Sequence, residues 1–158
     1  MFALTYVSQA TALFLGEQLA ELEAEASQKN QKLEITGFLN YRKGRFLQYL
    51  EGEKNTVLEL MHRIEQDERH TVSRILHLPD VNERRFSNWY MRFLRQHEMN
   101  EIGLEPTLEE VLVKMKPSLY GEERVNRVIE SLVRSISELY QKHPFIIKPP
   151  QSSSDYQQ

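Results

Sequence analysis

Apolar and polar residues alternate over residues 2–7, with Phe2, Leu4 and Tyr6 on one side, which predicts a half-buried strand. The period then lengthens. Over residues 16–29, Leu19, Leu22 and Ala26, with Leu15 just before, recur at helical spacing opposite a run of glutamates, and Asn30 stands where a left-handed C-terminal cap is common. Residues 33–41 and 45–50 read as two strands joined through Arg42-Lys43-Gly44 as a hairpin. With Arg42 and Lys43 as the turn, Gln48 lies opposite Gly37, Phe46 opposite Leu39 and Leu50 opposite Ile35. A turn over residues 51–56 leads to a second helix with Val57, Leu60, Met61 and Ile64 as its stripe, ending near Asp67-Glu-Arg-His70. Residues 72–78 form a fourth strand, stopped by Pro79-Asp80. Residues 88–94 form a fifth, with Trp89, Met91 and Phe93 on one face.

This order predicts an α+β, ferredoxin-like βαββαββ sandwich: a five-stranded mixed sheet with both helices on one face. The other face needs cover. Thr107-Leu-Glu-Glu110 is a capping box for a short helix ending at Pro117, and a longer helix over 121–142 carries Val125, Val128, Ile129, Leu132, Ile136, Leu139 and Tyr140. That stripe buries either on the bare sheet face or against another subunit. The expected organisation is a globular domain over residues 1–95, a two-helix cap over 96–143 and a disordered tail over 144–158.

Composition narrows the function classes. At 158 residues, 40% apolar and 27% charged, the chain fits one domain with a core large enough to close over a small ligand. A net charge of −3 supplies no basic field for nucleic acid. The absence of cysteine removes disulfides, thiolate metal sites and thiol nucleophiles, and fits a cytoplasmic protein. The first residues lack a basic leader, and no apolar run reaches the roughly eighteen residues a membrane span needs.

The informative chemistry lies on the core face. Gln48 carries two donors and two acceptors within an apolar strand, and leaving them unpaired costs roughly 1–3 kcal/mol. Tyr6 points to the same side from a neighbouring strand, and Asn30 adds an amide at the rim. Each has a plain alternative: a buried tyrosine commonly bonds a carbonyl, and a helix-end asparagine is commonly a cap. Together they describe a pocket for a planar heterocycle with carbonyl and N–H edges. Other candidates are weaker. His62, His70, His77, His97 and His143 show no metal-ligand spacing, no glycine-rich phosphate loop is present, Glu51 and Glu53 flank a turn glycine as solvated residues do, and Ser8 and Ser27 lack a histidine base.

Over residues 2–94 the chain resembles the BLUF domains, sensors of blue light that use flavin. The resemblance rests on Tyr6-Val-Ser8, Ser27-Gln-Lys-Asn30, Ile35-Thr-Gly37, Phe46-Leu-Gln48, Leu50-Glu-Gly52, Asp67-Glu-Arg-His70 and Phe86-x-x-Trp89-x-Met91, in order and at matching spacing. It implies a flavin, FAD in most members, with FMN or riboflavin as alternatives, held between the two helices above the sheet. Tyr6 would then be the photochemical electron and proton donor, and Gln48 the switch between Tyr6 and flavin N5 and O4. Asn30 would bond the ring's carbonyl edge, Arg63, Asp67 and Arg69 would hold the pyrimidine side or the ribityl phosphate, and Ile35, Leu39 and Phe46 would be apolar walls. Lys29 departs from the family's histidine or asparagine and would meet a phosphate. Trp89 and Met91 match the signal-relay positions, either of which could sit beside Gln48, and the amide could rotate or tautomerise. The resemblance is to short stand-alone members with a two-helix cap, which implies no enzymatic activity, output to a downstream protein and a homo-oligomer. The competing readings are a small enzyme of acylphosphatase type, using Arg45 or Arg69 with Asn30 on a phosphate, and a flavin-free interaction module.

Overall fold

A computed structural model describes residues 1–101, 103, 104, 106, 107 and 110–142. Five strands, β1 (Phe2–Ala10), β2 (Thr36–Arg42), β3 (Arg45–Gly52), β4 (His70–Leu78) and β5 (Arg92–Phe93), form one sheet in the order β4-β1-β3-β2-β5. Neighbours run antiparallel except β2 and β5, which are parallel. This is the mixed sheet of the ferredoxin-like sandwich, with β3 inserted between β1 and β2.

Helix α1 (Gly16–Lys32) starts where the Gln18 side chain accepts the Leu15 N–H at 2.8 Å, and α2 (Lys54–Glu65) starts where Glu53 accepts from Thr56 N at 2.9 Å. The hydrogen bonds from the Thr56 and Asn55 backbone hold the Glu53 carboxyl below its usual range and give it a capping role. Asn30 is not the cap of α1. The helix runs on to Lys32, and Glu34, at φ 53°, takes the left-handed position.

The hairpin turns one residue later than its sequence suggests. Lys43 and Gly44 are both at positive φ, 48° and 77°, the requirement of a type I′ turn, so Arg42 pairs with Arg45. Leu39 therefore faces Gln48, and Gly37 faces Leu50. Moving the turn by one residue moves each cross-strand partner by two, an even step, so every side chain keeps its expected face. The fifth strand is also shorter than expected. Gly37 N–H donates to Trp89 O at 2.6 Å and Trp89 N–H to Phe86 O at 3.1 Å, so the chain bends before β5 and the alternation breaks. A side chain at Gly37 would start 1.8 Å from Tyr49 O, which is why glycine stands there.

The sheet buries two cores. Leu4, Leu39, Leu50, Phe93 and Met91 lie under α1 and α2 with Leu19, Val57 and Met61. Phe38, Leu47, Tyr49, Phe86 and Trp89 lie on the other face under the C-terminal segments. These are α3 (Gln96–Glu101), a π-helical stretch (Glu110–Lys114), α4 (Pro117–Tyr120) and α5 (Glu122–Lys142). Helix α5 lays Val125, Ile129, Leu132, Val133 and Ile136 on the sheet, so the stripe that could have met another subunit is used within the chain. Leu108 and Glu109 of the expected capping box lie outside the described residues. Pro117 opens a helical turn instead of ending one, as its missing N–H permits. The expected tail over 144–158 is outside the described residues. Among those described, no helix is long and apolar enough to cross a membrane.

Candidate functional site

A cavity of about 440 Å³ opens between α1 and α2 above the sheet. Its floor is built by strand pairing. Tyr6 on β1 lies directly across from Gln48 on β3, and Leu39 on β2 lies across from Gln48 on the other side. The Tyr6 hydroxyl donates to Gln48 Oε1, and Gln48 Nε2 donates to Met91 Sδ at 3.2 Å. Burial, with the nearby Asp67 carboxylate second, pushes the Tyr6 phenol well above its ordinary value, so it holds its proton.

The walls come from the helices: Leu22, Ala26, Lys29 and Asn30 from α1, and Leu60, Arg63 and Ile64 from α2, with Phe14 and Phe46 closing one side. Asn30 is 2% exposed. Its carbonyl accepts from Leu33 N and Ile35 N, yet its side-chain Nδ2 is buried with no protein acceptor. A native fold leaves few such donors unpaired, so the orphan calls for an acceptor from inside the cavity. At the mouth, Arg69 grips Asp67 through Nε at 3.0 Å and Nη2 at 2.6 Å, which holds the Asp67 carboxyl down at about 2. Lys29, Arg63 and Arg69 are exposed there, a cationic rim beside an apolar slot.

The cavity brings together Tyr6, Lys29, Asn30, Leu39, Phe46, Gln48, Arg63, Asp67 and Arg69. Ile35 does not line it. That side chain is fully buried and packs toward Gly52. Met91 and Trp89 part company at the bend. Met91 meets Gln48, whereas Trp89 stacks on Phe86 and lies 4.4 Å, centroid to centroid, from Tyr140 on the opposite face.

Sequence reasoning missed His70. Its Nε2 lies 2.7 Å from Ile64 O, which can only accept, so Nε2 carries a proton. Nδ1 lies 2.7 Å from Ser8 Oγ, and the ring stands edge-on to Tyr6 at 6.0 Å. Leu22 and Ala26 were visible, but only as a packing stripe. Glu51, which resembled a solvated turn residue, is fully buried and accepts from Thr36 Oγ1, Tyr49 Oη, Arg85 N and Phe86 N at 2.8–3.0 Å.

A phenol, a reorientable amide and an unpaired asparagine donor around an apolar slot are the arrangement expected of a flavin sensor, and residues 1–92 match the family model described as BLUF, sensors of blue-light using FAD. The chain belongs to the BLUF family. Over 115 residues it is 35% identical to a photoactivated adenylate cyclase subunit beta of Euglena longa, a match covering 73% of this chain and 13% of that one. It thus spans only a small part of the curated relatives it matches. Among solved structures, the dark state of the BLUF protein BlrB superposes with a TM-score of 0.65 at 25% identity, covering 87% of this chain and 95% of that one. The ground state of BlsA gives 0.60 at 26% identity, covering 84% and 87%. Both likenesses extend beyond the BLUF segment into the C-terminal helices.

Proposed function

We propose that the chain is a blue-light photoreceptor that binds FAD in the α1–α2 cavity and signals through the Gln48 amide. The observation that carries this is the line Tyr6–Gln48–Met91 along the cavity floor, facing an asparagine donor that no protein group satisfies. Leu39 and Phe46 would flank the ring, Asn30 Nδ2 would donate to its carbonyl edge, and Lys29, Arg63 and Arg69 would meet the phosphates. The two phosphates of FAD suit that cationic rim better than the one of FMN or none of riboflavin. When excited by blue light, a bound flavin supplies a strong oxidant.

The residues around it have matched tasks. Tyr6 holds a proton at Oη and is the phenol that lines the floor. Gln48 now accepts from Tyr6 and donates to a sulfur, a weak acceptor. Rotating or tautomerising the amide reverses its polarity toward Tyr6 at small geometric cost. It also withdraws the N–H from Met91, and that differential contact is what a two-state relay requires. Met91 thus takes the relay position, and Trp89 belongs to the core under the cap.

Output through contact with a downstream protein, without enzymatic activity, in the cytoplasm, completes the proposal. The organisation behind it is a sensor over 1–95 with a cap over 96–143. Its support is that Met99 of α3, Val111 of the π-helical stretch and Val125, Ile129, Leu132 and Ile136 of α5 are spent on the core that covers the sheet. Self-association would need a surface other than the buried face of α5. The test is colour: purified protein is expected to be yellow, to shift its flavin absorbance to the red under blue light and to recover in darkness. A colourless protein that flavin cannot reconstitute would refute the proposal.

A further inference from the structure

Strand β5 contributes only Arg92 and Phe93 to the sheet and forms its edge. Leu94 N–H, just after it, donates to Leu39 O at 2.8 Å. Its outer side is held from an unexpected direction. Phe93 N–H donates to Glu23 Oε1 at 2.9 Å, so a side chain from the middle of α1 takes a backbone donor where a further strand would otherwise pair. Phe93 lies two residues after Met91, whose sulfur accepts from Gln48. One continuous path therefore joins the amide on the cavity floor to a carboxylate on the helix that walls the cavity.

The surroundings of Glu23 are charged. Arg92 on β5, Arg95 just after it and Glu98 on α3 face it. Glu98 is buried and takes Arg92 Nη2 at 3.3 Å, Arg95 Nη2 at 2.8 Å and Arg95 N–H at 2.9 Å. The cluster ties the edge strand to the first C-terminal helix.

We infer that Glu23 is a positioning residue of the Gln48 switch: its carboxylate clamps the Phe93 amide to α1 and so sets how firmly Met91 is presented to Gln48. This rests on the reading of Gln48 given above. The clamp also responds to pH. Burial pushes the Glu23 carboxyl up to about 7, with Glu98 adding to the rise, against the Phe93 amide, Arg92 and Arg95, which pull it down. Above that value the bond to Phe93 is charge-assisted. Below it the acid is neutral and the bond is roughly half as strong. A firm clamp favours the arrangement with Met91 on Gln48, so the return to that arrangement after illumination is faster at high pH.

Two measurements on the full chain test this. In ¹⁵N–¹H spectra, the Phe93 amide of the wild type is expected to shift with a midpoint near pH 7, and in Glu23→Gln to stay fixed. Dark recovery of the red-shifted flavin band is expected to slow about five-fold from pH 8 to pH 6 in the wild type, the order of loss when a charged acceptor becomes neutral. In Glu23→Gln it should run at the slow rate throughout. The wild-type titration stands even if the variant folds poorly. A Phe93 amide that does not titrate, or a titration that persists in Glu23→Gln, overturns the clamp. An amide that titrates while recovery stays flat overturns its role in the switch. A protein with no red shift at all overturns the Gln48 reading and this role with it, a failure told apart by colour alone.

Discussion

Gln48 is worth its place because it is satisfied without being locked. Its oxygen accepts from the Tyr6 phenol, and its nitrogen donates to a thioether, a weak acceptor. Replacing it with leucine keeps the volume and removes both bonds, so Gln48→Leu is expected to retain flavin and fold while losing the normal red shift, read by difference spectra in light and darkness. Tyr6→Phe removes only the hydroxyl and should likewise stay yellow without forming the normal photoproduct; a wild-type shift in that variant would take Tyr6 out of the mechanism. Asn30 separates binding from folding. Its Nδ2 bonds no protein atom, so Asn30→Ala should cost the apoprotein little, whereas flavin affinity should fall about ten-fold, near 1–2 kcal/mol for one buried hydrogen bond. Titration with flavin alongside thermal unfolding of the apoprotein separates the two. Glu23 gives a sign that can be worked out in advance. Its folded-state pKa is raised, from an ordinary 4.5 to about 7, so the folded state binds more protons between those values. The stability this contributes is complete below about pH 4.5 and is lost as pH rises through 7. Glu23→Gln should therefore match the wild type near pH 4.5 and exceed it by about 1–3 kcal/mol near pH 8, measured by denaturant unfolding.

The elements show which parts of the design are written locally. The strands and helices of the first 78 residues follow from periodicity because each has one face to bury, and the face parity of Tyr6, Leu39 and Gln48 survives an error in the turn. What the period could not place was set by backbone chemistry. Gly44 belongs at the second centre of a type I′ turn, and choosing the pair before it moved the partner of Gln48 from Leu39 to Gly37. Asn30 looks like a cap because helices often end at such residues, but α1 continues to Lys32 and uses the amide in the cavity wall. The bend before β5 depends on Gly37 and Trp89, far apart in sequence, so an apparent seven-residue strand hid the separation of Trp89 from Met91. Glu51 is the same lesson in a side chain, since a carboxylate beside a turn glycine becomes an anchor only when residues 84–86 fold over it. Glu51→Ala would strand the Arg85 and Phe86 amides and the Thr36 and Tyr49 hydroxyls. It should cost at least about 3 kcal/mol in denaturant unfolding.

At the scale of the molecule, the sheet is a partition with chemistry on one side and cover on the other, and the segment 86–93 crosses it. Trp89 and Met91 sit on opposite faces, joined by one residue. Trp89 is anchored in the cap through Phe86 and Tyr140, while Met91 accepts from Gln48. Motion of Met91 must therefore either stop at Trp89 or carry the cap with it. The two substitutions distinguish these functions. Trp89→Ala removes a buried aromatic and should cost about 3–5 kcal/mol, lowering the thermal midpoint while the red shift survives. Met91→Ala also opens a cavity, costing about 2–5 kcal/mol, but it removes the acceptor of Gln48 Nε2 and should change both the position of the red shift and its dark recovery. Loosening the cap directly, with Ile136→Ser at a fully buried position of α5, should destabilise like Trp89→Ala and leave the red shift in place. If Ile136→Ser instead altered the shift as Met91→Ala does, cap and switch would form one rigid unit, and the bend at Trp89 would be a stiff lever instead of a joint.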